Sequence, residues 1–441
     1  MLLTIKRPAA ILAICAIGLI AVSAQAQTKN WKDRAEYDLV QQITKETNPQ
    51  TKIALLKQWE EKYPTSDYKE DRFATLILAY QQAGNAQEML ATTKRLLAEF
   101  PKSVTGLYYL NLLTISMNNT APDALAAGEE AGKAMLGLMD DTFSPAKKPA
   151  QTTEDQWKQE RANFEAIAYK TLGWVSLQKQ QYEEAEKNFL EVLKRTPGDA
   201  QVSAWTGTSV IRQKKVEKQD VALYHIARAA YYEGPGAFPQ QVRDQLRANF
   251  EKNYVNFHGD RGGMEQVIEL VKANPIPGAD FHIESKDEIL IKQEEELKKT
   301  NPTLALWISI KRELTGPNSA AYFESTLKHA SIPGGVEVGG TKIEKLKGKV
   351  VSLKPATNPK EIVLGISSAE MSEVTLRFET PLRGKVDPGT ELEFSGAPIE
   401  FSPEPFNLVF DMEAKDLVGW PAAAPAPARK APAKKAGAAK K

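Results

Sequence analysis

Between residues 166 and 231 apolar side chains recur three and four positions apart, the spacing that gathers them on one side of an α-helix. Ala166, Tyr169, Leu172 and Gly173 form one such stripe, Tyr182, Ala185 and Phe189 form a second, and Pro197 closes the run. The segment from Val104 to Leu138 predicts a further helix pair upstream. Downstream, helices are predicted over Pro239–Phe257, Gly263–Ala273, Ser285–Thr300, Pro302–Leu314 and Asn318–Ala330. Thr153 with Gln156, and Ser285 with Glu288, have the spacing of capping boxes, and Glu154 and Asp155 sit where a helix start favours negative charge. After Pro333 the period changes to two. Val374, Leu376 and Phe378 alternate with Thr375, Arg377 and Glu379, as in a half-buried strand. Ile362-Leu364-Ile366, Leu392-Phe394 and Leu408-Phe410-Met412 follow suit, and Lys347–Leu353 supplies a further strand. Turn signals at Asn358-Pro359, Asp387-Pro388-Gly389 and Ser402-Pro403 separate these strands. Five short strands so closely spaced predict a small barrel.

Gly173 stands inside a predicted helix, where it costs about 1 kcal/mol relative to alanine. Numbering Ala166 as position 1 places Tyr169, Leu172, Gly173, Tyr182, Ala185, Phe189 and Pro197 at positions 4, 7, 8, 17, 20, 24 and 32. This pattern resembles the tetratricopeptide repeat, a helix–turn–helix unit of roughly 34 residues. The resemblance implies that Gly173 and Ala185 let two helices cross closely, that Leu172 and Phe189 fill the space beside them, and that Pro197 ends the second helix. A second unit starting at Ala200 puts Gly207 at position 8, and Ala222, Ile226 and Ala229 continue it after a three-residue insertion. Upstream, Tyr80, Gly84 and Pro101 take positions 11, 15 and 32 of a unit beginning near Glu70. The unit ends Tyr63-Pro64-Thr65-Ser66 and Phe100-Pro101-Lys102-Ser103 are similar to those of repeat proteins of bacterial envelopes. The helices after Gly234 read as degenerate repeats that close the array. The strand order GKVVSL, EIVLGIS, EVTLRFE, PGTELEFSG, FNLVFDME resembles an OB-fold. The expected fold is mainly α: a TPR-like α-solenoid over 27–330, then a small five-stranded, all-β, OB-like barrel over 331–420.

The two ends change the picture. Lys6 and Arg7 precede the apolar run Ala9–Val22, and Ala24-Gln25-Ala26 supplies a small-x-small cleavage site, so residues 1–26 read as a signal peptide. An uncleaved anchor is the alternative, although the run is short of the roughly 20 residues a spanning helix needs. Cys15, the single cysteine, lies in that segment and follows Ile14, where a lipid-attachment motif would have a small residue. A chain starting at Gln27 has neither disulfide nor thiol chemistry. Residues 421–441 are alanine, proline, glycine and six basic residues, a composition expected to be disordered. Of 57 basic and 56 acidic residues, two basic ones fall in the signal and six in the tail. The body therefore carries 49 against 56, a net −7, which disfavours a nucleic-acid partner. The tail is either a solubilising end or a contact to anionic lipid, polysaccharide or nucleic acid.

Catalytic patterns are missing. His225, His258, His282 and His329 show no metal-ligand spacing, there is no GxSxG elbow, and the glycines at 259–263 and 339–340 lack a phosphate-cradling arrangement. No enzyme activity, metal or other cofactor is expected. The strand aromatics Phe378, Phe394 and Phe410 share the inward alternation, which leaves no base-stacking face. The remaining candidate is the groove of the solenoid. The family resemblance implies that Ile167, Lys170, Trp174, Leu177 and Gln178, with Ala204, Thr208, Ile211 and Arg212, face the concave side. Trp174 flanked by Lys170 and Arg212 could grip an extended peptide and its carboxylate. Alternatively Trp174 packs against a neighbouring helix, since the family's carboxylate clamp has asparagine at that position. The expected function is an exported, periplasmic or secreted, non-enzymatic scaffold that binds a protein or peptide in the cell envelope. The alternative is an envelope-associated structural protein whose barrel and basic tail bind wall polymer or an anionic membrane surface.

Overall fold

Asp33, Asn48, Asn85, Ser103, Thr153 and Asp199 each turn a side-chain oxygen onto the free amides of a helix start in the computed structural model, which describes residues 29–421. At Thr153 the capping box is complete: the Gln156 amide donates to its hydroxyl at 3.2 Å, and its own amide donates to Gln156 Oε1 at 3.0 Å. The expected signal peptide and the tail beyond Pro421 lie outside the described residues. The chain divides into two compact units between Ser285 and Lys286.

The first unit holds α1 (Arg34–Lys45), α2 (Pro49–Lys62), α3 (Lys69–Gln82), α4 (Ala86–Glu99), α5 (Val104–Ser116) and α6 (Pro122–Thr142). It continues with α7 (Glu154–Gln178), α8 (Tyr182–Arg195), α9 (Ala200–Gln213), α10 (Gln219–Tyr231), α11 (Gln240–His258) and α12 (Met264–Ala273). From α1 to α11 each helix packs on the next, and α12 packs on α10. The crossings depend on missing side chains. A Cβ on Gly173 of α7 would lie 2.6 Å from the ring of Phe189 on α8. One on Gly132 of α6 would meet Leu172 of α7 at 2.8 Å, and one on Gly207 of α9 would lie 3.2 Å from the Ala222 carbonyl oxygen and 3.3 Å from the Ile226 nitrogen on α10. Ala185, Phe189 and Ala222 are buried at these crossings.

Arg228 of α10 joins three segments. Its guanidinium is buried and donates to the Val271 and Lys272 carbonyls at the end of α12, at 2.5 and 2.7 Å, and to the Pro197 carbonyl after α8 at 3.0 Å. The α12 carbonyls are the negative end of that helix, where a cation is favoured. One turn earlier, His225 is fully buried with neither ring nitrogen hydrogen-bonded, and burial pushes its pKa down to about 3.

The second unit begins with α13 (Lys286–Thr300) and α14 (Pro302–Thr315), then α15 (Ser319–Tyr322) running into a π-helical turn at Phe323–Leu327. The strands are β1 (Val336–Val338), β2 (Thr341–Ile343), β3 (Leu346–Lys354), β4 (Glu361–Gly365), β5 (Val374–Phe378), β6 (Glu391–Phe394), β7 (Ala397–Pro403), β8 (Phe406–Met412) and β9 (Leu417–Val418). β1 and β2 form a hairpin, and the others form a sheet in the order β7-β8-β5-β4-β3-β6-β9, antiparallel except for the parallel pair β5–β8.

Two expectations need correction. The helices from 286 to 327 do not close the solenoid: they belong with the sheet, so the boundary falls at Ser285 and not at 330. Trp307, Ile310 and Leu314 of α14 enter one core with Phe323, Leu346, Leu364, Leu376, Phe394 and Phe410, because a sheet with one apolar face needs a covering layer. The five predicted strands are present as β3, β4, β5, β6 and β8, yet the hydrogen-bonded ladder is an open seven-stranded sheet and not a closed five-stranded barrel. β6 and β7 are separated only by Ser395 and Gly396 and pair toward opposite sides of the sheet. Gly396 permits that crossing, since a Cβ there would lie 2.5 Å from the Met412 sulfur. Pro398 and Pro403 on β7 suit an edge strand, whose outer amides need no partner. Glu373 ties α14 to the sheet. Burial pushes its pKa up, but Lys311 Nζ at 2.6 Å and the Ser367 and Ile366 amides at 2.6 and 2.8 Å hold it below the ordinary carboxylate value.

Two outcomes follow from this packing. Gly173→Ala gains about 1 kcal/mol of helix propensity but overpacks the Phe189 ring at about 1–3 kcal/mol, so denaturant unfolding should show a net loss. Phe189→Leu should cost less in the Gly173→Ala background than in the wild-type chain, and additive losses would contradict the crossing. For His225, the unfolded state takes up a proton below pH 6.5 while the folded state does not until about pH 3, so stability falls as pH drops through that window. Unfolding curves of His225→Leu should lack about 1.4 kcal/mol per pH unit of the acid loss seen in the wild-type chain, and parallel pH profiles would contradict a buried neutral imidazole.

Candidate functional site

The turn between α7 and α8 closes at Gln180, whose φ of 61° lets the chain reverse within three residues. That reversal leaves the ends of α7 and α9, the start of α8 and the middle of α6 around one cleft of about 740 Å³. Its walls are Glu129 and Lys133 from α6, Leu172 and Ser176 from α7, Gln180 and Gln181 from the turn, Tyr182, Glu183, Glu184 and Asn188 from α8, and Arg212 and Gln213 from α9. Amides, carboxylates and one phenol dominate, so the lining is suited to hydrogen-bonding an extended polar chain.

Most of its charges are already paired. Glu129 accepts from Lys133 at 2.5 Å and from Lys179, and these contacts hold its carboxyl below the ordinary value, Lys133 contributing most. Glu183 pairs with Lys215 at 2.6 Å and is held low by that hydrogen bond. Glu186, just behind the lining, accepts from Lys218 at 2.6 Å and from Gln213 at 2.5 Å. Asn188 donates to the Glu184 carbonyl and carboxylate at 2.8 and 3.2 Å. Arg212 differs: its guanidinium is exposed and forms no ion pair among the described residues. Ile211, the preceding residue on α9, is 54% exposed but is not among the residues that line the cleft.

The structure separates the predicted groove residues into two groups. Thr208, Ile211 and Arg212 are exposed on α9, Thr208 returning its hydroxyl to the Ala204 carbonyl at 2.9 Å. Lys170 and Gln178 are half-buried, and Lys170 is committed to Asp199 at 2.6 Å and lies over the Trp205 ring at 5.6 Å. Trp174 is not a presented platform. It is 3% exposed and packs with Leu125, Val175, Ile115 and Trp205, because removing a large aromatic surface from water outweighs displaying it beside the cleft. Leu172 meets Gly132, Gly173 meets Phe189, Ala185 is fully buried, Gly207 approaches Ala222, and Pro197 follows the end of α8. The wall residues Glu129, Lys133, Tyr182 and Gln213 are not marked as a site by the sequence. Glu129 and Lys133 lie in the helix pair with the weakest repeat match, and Tyr182 reads there only as a packing position.

The histidines do not converge. His258 Nδ1 lies 2.8 Å from the Glu284 carbonyl, His282 lies 3.0 Å from Asp220, His225 is enclosed in α10, and His329 sits in a loop at φ 64°. Among the described residues no group of three or more His, Cys, Asp or Glu is placed to hold a metal ion, and no helix is long and apolar enough to cross a membrane.

No family model matches the chain, and no curated protein matches it. Among solved structures, the MamA RS-1 ArsTM double mutant aligns over 49% of this chain and 96% of its own length, at 12% identity and a TM-score of 0.32. A thermophilic TPR protein of Thermus thermophilus covers 50% of this chain and 95% of its own, at 14% identity and a TM-score of 0.27. A tetratricopeptide repeat protein from Parabacteroides merdae covers 55% and 90%, at 13% identity and a TM-score of 0.28. At these scores the functional reading rests on the chain's own geometry.

Proposed function

We propose that this protein is an exported, non-enzymatic scaffold whose TPR-like helical array binds an extended peptide or protein segment in the cleft between α6 and α9. The observation that carries this reading is Arg212, exposed and without an ion pair among the described residues, in the wall of a polar cleft of about 740 Å³. A guanidinium set among amides fits a chain that brings one carboxylate and its own backbone hydrogen bonds. The TPR-like reading is supported by the register of Gly173, Ala185, Phe189 and Pro197 and by the crossings they make. The OB-like reading of the second unit is supported by the β3-β4-β5 meander, the parallel β5–β8 pair and the short Ser395-Gly396 link between β6 and β7. Export to the periplasm or medium is supported by the n-region, apolar run and Ala24-Gln25-Ala26 site.

A displayed library of random peptides, selected on the full chain, tests the site without knowledge of the natural partner. Selected peptides should bind at least about tenfold more weakly to Arg212→Glu with Gln213→Ala, and keep their affinity for Lys385→Gln, which lies in the other unit. Peptides that bind the double variant as tightly as the wild-type chain would refute the cleft as the binding site.

A further inference from the structure

Asp220, Tyr224 and Arg228 follow one another at four-residue steps and so share one face of α10. That face is met by the end of α12 and by residues 274–284, a segment free of helix and strand. The contacts step along α10 in order. Arg228 holds the Val271 and Lys272 carbonyls. The Tyr224 hydroxyl donates to the Asn274 carbonyl at 3.0 Å and lies 3.3 Å from the Ile276 carbonyl. Phe281 then sets its ring edge-on to Tyr224, with centroids 4.8 Å apart, and His282 Nδ1 lies 3.0 Å from Asp220 Oδ2. Ile283 closes the row, 3% exposed in the core that also holds Leu223 and Tyr224, and the Glu284 carbonyl accepts from His258 Nδ1 of α11 at 2.8 Å.

Most of these polar contacts go to main-chain carbonyls, which any peptide offers. The selective part is two side chains, Phe281 and Ile283, separated by one residue. Between the end of α12 and these anchors the segment is lightly held. Pro275 and Pro277 bring no amide, a turn closes with the Phe281 amide donating to the Gly278 carbonyl at 3.1 Å, and Gly278, Ala279 and Asp280 are exposed. A stretch that buries so little opens more readily than the helix beneath it. From these observations we infer that this face of α10 is a second peptide-binding surface, kept shut by residues 274–284 as a tethered competitor. A partner protein's non-helical segment carrying an aromatic residue, one spacer and an aliphatic residue takes the place of the strap. A peptide suits the face because its donors already meet main chain there, and because the places of Phe281 and Ile283 need apolar side chains. The surface lies outside the walls of the α6–α9 cleft, and its test does not depend on that reading.

Fluorescence anisotropy with a labelled peptide of the chain's own residues 274–284, NPIPGADFHIE, tests this on the full chain. A tethered competitor acts at an effective concentration on the order of 1 mM. The wild-type chain should therefore bind the peptide at least about tenfold more weakly than Phe281→Ala with Ile283→Ala, which frees the face. In the freed chain Tyr224→Phe should weaken the peptide about fivefold, the loss of one hydrogen bond, and Arg212→Glu with Gln213→Ala should leave it unchanged. A peptide with alanine in place of its phenylalanine and second isoleucine should not bind. Equal binding by wild-type and freed chains, no binding by a freed chain of wild-type helicity, or indifference to Tyr224→Phe would overturn the inference. If the freed chain loses helicity, amide exchange on the wild-type chain decides. Residues 279–284 should exchange at least about tenfold faster than α10, and faster still under saturating peptide. Protection equal to that of α10, or unmoved by peptide, would overturn the strap. A wild-type dimer that the peptide splits would give the face to a second copy and overturn the partner assignment.

Discussion

The contact on which the first unit depends is the one between the bare Cα of Gly173 and the ring of Phe189. A side chain of even one carbon would enter that ring's space, 2.6 Å away, so the two helices cross closer than any other residue allows. The helix propensity lost at Gly173 is offset by the aromatic surface that the crossing buries. The device recurs with different partners. Gly132 accepts Leu172 from the next pair, and Gly207 brings two backbones within reach of a single Cβ. Consecutive pairs are thereby held by local contacts, which is how a repeat array extends without a central core.

The cleft follows from that stacking. Tight crossings join α6 to α7 and α7 to α8, the turn at Gln180 and the start of α8 form the rim, and charged residues there find partners across neighbouring helices: Glu129 with Lys179, Glu183 with Lys215, Glu186 with Lys218. Such exposed pairs add little stability. They leave Arg212, in the cleft wall, without a counter-ion among the described residues. Deeper in the unit, Arg228 spans Pro197 and the end of α12, so α8, α10 and α12 share one buried guanidinium. Removing it would orphan two carbonyls at the end of α12 and one in the turn after α8 at once.

Much of this architecture is legible in residue spacing. Position 8 of two repeat units, Gly173 and Gly207, predicts the crossings because the missing Cβ is a local property visible in the sequence. Strand alternation locates β3, β4, β5, β6 and β8 for the same reason. What spacing does not reveal is the allegiance of an amphipathic helix. The Trp307, Ile310 and Leu314 stripe of α14 would suit a terminal repeat or a sheet cover equally well, and only the three-dimensional core decides. Trp174 departs from its expected place on similar grounds: residue spacing alone suggests the open side, but an indole has a large apolar surface to withdraw from water. The cleft walls, and the hydrogen bonds that Asn358 exchanges with the Gly384 backbone, join residues distant in sequence, and no spacing rule marks such meetings. The Glu373 and Lys311 pair, 62 residues apart, belongs to the same class.

The central claim is that the helical unit is held by nearest-neighbour crossings at small residues, and amide hydrogen exchange on the full chain tests it most directly. Gly132→Val forces a side chain into Leu172 at the α6–α7 crossing. Protection should fall in α5, α6, α7 and α8, while α1, α2, α11 and α12 keep theirs, because contacts reach only adjacent helices. A uniform loss over all twelve helices, or unchanged protection in α6 and α7, would contradict the account.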